Sequence, residues 1–98
     1  MRKRRFSAEV LSGHKGCAVQ VPFDPARLWG SRAAPLFPGR RGHPVRGSVN
    51  GESFESAIVG RSGKFFLLLT APMLYAAQAS VGDQVDVAVE PAAASDAV

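Results

Sequence analysis

Few residues in this 98-residue chain have the chemistry of a catalyst, and their spacing decides how they are read. Cys17 is the one thiol, and His14 and His43 are the two imidazoles. A cysteine nucleophile needs a neighbouring base to raise its thiolate fraction. Either histidine could serve, but no motif surrounds Cys17, which sits between Gly16 and Ala18 at an apolar strand position. Free cysteines are among the most buried residue types, so Cys17 is read as a small core residue. One cysteine and two distant histidines also lack the paired spacing of a metal site. Among the carboxylates, Asp83 follows Gly82 in a turn, where a short side chain caps local N–H groups. Asp86 falls on the outward side of an alternating strand, and Glu52 has no partner in sequence for acid–base work. The expectation is a non-enzymatic protein without cofactor or metal.

Binding chemistry is better represented. Arg27, Arg32, Arg40, Arg41 and Arg46 fall in a stretch that contains no acid. Guanidinium groups bind phosphate and carboxylate in bidentate fashion, so Arg40, Arg41 and the adjacent His43 are the candidate anion or ligand contacts. Gly39-Arg40-Arg41-Gly42 is not a phosphate loop, since it lacks the Lys-Ser/Thr ending. Phe23, Trp29 and Phe37 flank this basic segment. Interleaved with arginine they would make a stacking surface for single-stranded nucleic acid. The reading preferred is that they plug the end of a small barrel.

The net charge of +4 points toward nucleic acid, but its distribution weakens that signal. Arg2, Lys3, Arg4 and Arg5 supply four cations at a terminus expected to fray, and the rest of the chain carries eight basic against eight acidic residues. Nucleic acid is therefore the alternative partner, behind an unknown ligand or protein, and a homodimer is compatible with an uncapped barrel edge. One cysteine cannot form an internal disulfide, which fits a reducing, cytoplasmic setting. The basic opening leads into no apolar core of signal-peptide length. Residues 65–82 are uncharged, but Thr70, Pro72, Gln78, Ser80 and Gly82 interrupt them, so no membrane span is expected.

The elements that must position these residues follow from alternation and turns. Arg5 to Leu11 and Cys17 to Val21 read as strands joined through Ser12–Gly16. Asp24-Pro25 reads as a helix start, with Gly30 ending the helix after Trp29. Ser31 to His43 is expected to be a long Pro/Gly-rich loop, so Gly30–His43 is the expected working surface. Asn50-Gly51 is the strongest hairpin signal, because both residues tolerate the positive φ of a type I′ turn. A two-residue turn there pairs Val49 with Glu52, Gly47 with Phe54, Val45 with Ser56, Ser48 with Ser53 and Arg46 with Glu55. Val45, Val49, Phe54 and Ile58 then point inward, Phe54 lies over Gly47, and Arg46 and Glu55 form a cross-strand pair. Lys64 to Thr70 is apolar in both parities and so expected to be covered on both faces. Its second cover is the helix from Thr70-Ala71-Pro72 to about Ala79, with Gly82 as left-handed stop. Gln84 to Glu90 is the last strand. Residues 1–90 form one domain, and 91–98 are expected to be a disordered tail. Six amphipathic strands in so short a chain imply an all-β fold with two short helices, a closed or double-split β-barrel.

The motifs Val19-Gln20-Val21-Pro22, Pro44 to Gly51, Phe54, Gly63 leading into Phe65-Phe66-Leu67, and Val81 to Val87 resemble a bacterial domain-of-unknown-function family. Its members occur alone or fused to a bacteriocin-protection, OmpD-associated region, which has no counterpart in these 98 residues. The resemblance implies a double-split β-barrel related to the AbrB-like DNA-binding barrels. The family tends to carry a basic residue in the helix before Gly82-Asp83, where this chain has Tyr75, so no ligand role carries over to that position. These shared residues are turns, glycines and core positions, which bear on fold more than on activity.

Overall fold

A computed structural model describes residues 3–12, 16–30, 34–36 and 40–92, with the backbone alone for 34–36 and 40. The chain is mostly β, with strands β1 (Arg4–Glu9), β2 (Leu11–Ser12), β3 (Cys17–Val21), β4 (Ala34–Leu36), β5 (Arg40–Val49), β6 (Glu52–Arg61), β7 (Lys64–Leu69) and β8 (Gln84–Pro91). Two short helices interrupt them, α1 (Pro25–Trp29) and α2 (Ala71–Ala77). The strand order is β1-β8-β5-β6-β7-β3-β2, antiparallel throughout, and β4 is attached to β5.

The two ends of that order belong to one run of chain. β1 pairs with β8 and β2 with β3, and only Val10 separates them. Two residues span at most about 7 Å, so the ends of the sheet must meet at this corner and the sheet must curl. Val10 is fully buried there; its N–H donates to the Asp83 carbonyl at 2.9 Å, and its carbonyl accepts from the Gly82 N–H at 2.8 Å.

Inward positions follow the alternation of the sequence: Val45, Val49, Phe54, Ile58, Leu67, Val85, Val87 and Val89 all join one core. Phe23 packs edge-to-face on Trp29 at 5.3 Å and on Phe6 at 6.2 Å, and these aromatics pack with the core. Phe37 lies outside the described residues, as do His14, Arg32 and most of the expected tail. Pro91 and Ala92 do not belong to a tail, since Pro91 lies opposite Val45 and the Ala92 N–H donates to the Pro44 carbonyl.

Both helices start where expected. Asp24 Oδ1 accepts from the Ala26 N–H at 2.9 Å, Pro25 occupies the first turn, and Gly30 closes α1 with φ 68°. Thr70 Oγ1 accepts from the Met73 N–H at 3.3 Å to cap α2. Four expectations are corrected. The left-handed stop of α2 is Gln78, with φ 56°, while Gly82 serves the turn into β8. Among the described residues strands number eight rather than six, because the first is broken at Val10 and β4 is added. Within the stretch expected as a loop, residues 34–36 and 40–42 pair as β4 and β5, and Pro35, with no ladder donor, hides that pairing from pattern reading. Finally, Met73, Leu74 and Ala77 of α2 pack into the core, whereas Phe66 and Leu68 stay outside it on the second face of β7.

Candidate binding groove

The expected register of the central hairpin is found at every pair, from Val49 opposite Glu52 to Val45 opposite Ser56. The expected partner of Arg46 is not. Because β5 is flanked by β8 as well as β6, Arg46 lies opposite both Glu55 and Glu90, and its Nε donates to Glu90 Oε2 at 3.2 Å. A local hairpin reading sees only one of these neighbours.

Next to that ion pair the sheet surface sinks. Ser48 lies between Ser53 on β6 and Ala88 on β8, three small side chains in one row. Gly47 allows β5 and β8 to approach closely: a Cβ at that position would sit 1.8 Å from the Ala88 carbonyl oxygen. Around this floor is an open groove of about 600 Å³, walled by Lys3, Arg46, Ser53, Phe54, Glu55 and Glu90. A second recess of about 400 Å³ shares Ser48 and Ala88 and reaches Arg5, Phe6, Gly51 and Asp86. The depression thus crosses β1, β8, β5 and β6. Lys3, Arg5 and Arg46 supply three cations, and Glu55, Asp86 and Glu90 supply three carboxylates. Arg4 and Arg5, expected to fray, are laddered against Val89 and Ala88.

The sequence-predicted contacts lie elsewhere on β5. Arg40 is its first residue, and Arg41, opposite Pro35, is exposed. His43 is only 6% exposed, opposite Ile58, and burial holds its pKa below the usual 6.5 against a smaller opposing pull from the Asp24 carboxylate. Neither Arg41 nor His43 lines the groove. Cys17 is half-buried, opposite Leu69, and no group of three or more His, Cys, Asp or Glu side chains suited to a metal occurs among the described residues. Asp83 does cap its turn, accepting from the Ser80 N–H at 2.9 Å, and Asp86 is exposed. The groove was missed because Ser, Gly and Ala carry no functional signature in sequence. Their meaning arises only when β6, β5 and β8 come side by side.

Fold and surface together define a small curled β-domain with a polar, mixed-charge depression on its outer face. A family model described as a domain of unknown function, DUF1905, matches residues 6–89, from within β1 to within β8. The chain belongs to that family. No curated protein matches it. Among the described residues, no helix is long and apolar enough to cross a membrane.

Proposed function

We propose that this domain is a non-enzymatic binding module whose working surface is the groove over Ser48, Ser53 and Ala88. The observation that carries this reading is the interleaving of three cations with three carboxylates around a floor of small residues. Such a surface complements a partner bearing both signs of charge, a polypeptide segment above all, and its hydroxyls offer donors and acceptors between the charges. Nucleic acid is the second reading. Lys3 leads into Arg4 and Arg5 at the start of β1, and the AbrB-like resemblance adds a fold analogy, but Asp86, Glu55 and Glu90 would repel phosphates beside them. A cytoplasmic setting is supported by the lone Cys17, and a double-split barrel by the way β1 and β2 serve both ends of the sheet.

The test is a titration of the labelled protein with peptides of acidic, basic and mixed composition and with duplex and single-stranded DNA. Mixed-charge peptides should bind tightest, and Ser48→Trp, which fills the depression, should weaken them at least tenfold. Tighter binding to DNA, with affinity falling steeply as salt rises, would transfer the function to the second reading.

A further inference from the structure

A different surface, on the outer face of β6 and β7, carries a pattern that complements itself. Outward positions along β6 read Glu55, Ala57, Val59 and Arg61, and along β7 they read Lys64, Phe66 and Leu68. Phe66 and Leu68 are half-buried, and Ala57 and Val59 between them are nearly closed off at 9% exposure each; all four stand apart from the central cluster. The apolar band continues through Ala18, opposite Leu68, to Leu11, opposite Ala18 and 37% exposed.

The exposed charges at its two margins have no ion-pair partner among the described residues. Arg61 and Lys64 lie directly opposite each other, two exposed like charges whose repulsion costs stability. Glu55 is left alone at the other margin because Arg46 bonds to Glu90 instead. Among the described residues neither Arg61, Lys64 nor Glu55 makes an ion pair.

We propose that a second copy of this chain docks face to face on this surface, about a two-fold axis crossing β6 at Ile58 and β7 at Leu67. That rotation exchanges positions equally spaced about the axis. Glu55 then meets the second copy's Arg61, Ala57 meets its Val59, and Leu68 meets its Phe66, with every contact made twice as an isologous interface requires. A two-fold axis parallel to the strands would instead oppose Arg61 to Arg61 and Glu55 to Glu55, so the charges select one arrangement. Four strands about 4.8 Å apart and six residues of about 3.3 Å give a footprint roughly 20 Å square. That is about 400 Å² a side, roughly half of what a standard interface buries, so the dimer is weak and in equilibrium with monomer.

Sedimentation velocity of the full chain across a concentration series at low salt tests this. Wild type should show a reversible monomer–dimer equilibrium. Arg61→Glu and Glu55→Arg should each weaken self-association by about tenfold or more, because each reversal acts at two symmetry-related contacts. An equimolar mixture of the two variants should associate again, since both contacts in the mixed dimer become opposite-charge pairs. Both side chains are exposed, and unchanged thermal melts will show that the variants fold. A wild type that stays monomeric at all concentrations overturns the proposal, as does a mixture no more associated than its components. Restoration only by an added acidic peptide would also overturn it, assigning the Arg61–Lys64 margin to another partner. Arg61 lies outside the groove, so loss of dimer in Arg61→Glu leaves peptide binding there as a separate readout.

Discussion

Gly47 sits where two backbones leave no room for a side chain. A Cβ there would stand 1.8 Å from Ala88 O and 2.7 Å from Ala88 C, both main-chain atoms that cannot swing aside. Gly47→Ala should therefore destabilise by about 1–3 kcal/mol or more, the range of overpacking costs, read as a lower urea midpoint at unchanged slope. An unchanged midpoint would mean that β5 and β8 do not approach this closely. The sequence marks Gly47 as a strand glycine covered by Phe54, and the hairpin partner is right. It does not show Ala88, the neighbour that forbids a side chain, because β8 lies some 40 residues downstream. Arg46 repeats the lesson: its type and face are legible, while its choice of Glu90 depends on a strand that local pairing does not reach.

At the scale of elements, Asn50 does more than turn the chain. Its φ of 50° belongs to the type I′ turn that Asn-Gly predicts. It also joins three elements. Its N–H donates to the Asp86 carbonyl at 2.8 Å, its Oδ1 accepts from the Asp86 N–H at 2.9 Å, and its Nδ2 donates to the Ala77 carbonyl at 3.4 Å. Asn50→Gly preserves the positive φ and removes only the side-chain bonds. It should cost about 1–2 kcal/mol and speed hydrogen exchange of the Asp86 amide. A neutral effect would return Asn50 to a turn residue alone. Elements bounded by such punctuation were readable: Asp24-Pro25 for α1, Thr70 for α2, Asn50-Gly51 for the hairpin. β4 was not, because three residues containing a proline leave no alternation to detect.

The whole molecule's stability should respond to pH through His43. Burial lowers its folded-state pKa below 6.5, so the folded protein holds the neutral imidazole where the unfolded chain would take a proton. The sign follows from proton linkage. Above pH 6.5 His43 costs nothing; as pH falls below 6.5 the unfolded state binds more protons and stability declines, levelling once pH passes the folded pKa. Urea midpoints between pH 8 and 5 should fall in wild type and fall less in His43→Leu. Equal slopes in the two proteins would show that other groups carry the acid sensitivity. The all-β class with two helices was legible from alternation and turns. The curl of the sheet was not, because it depends on one segment serving β8 and β3 at once, a relation between the chain's beginning, middle and end.

That shared segment sets the order in which the chain can be completed during synthesis. Residues 4–9 leave the ribosome some 80 residues before their ladder partner, residues 84–89, is made. β2 finds β3 within a few residues, so a nascent chain can anchor its beginning on one side and leave β1 waiting with its backbone groups open to water. Pairings this distant in sequence are slow to form, and an unpaired edge held open through translation is where nascent chains join one another. The cations Arg4 and Arg5 fall on that waiting strand with Lys3 just before it, where like charge keeps neighbouring nascent copies apart until β8 arrives.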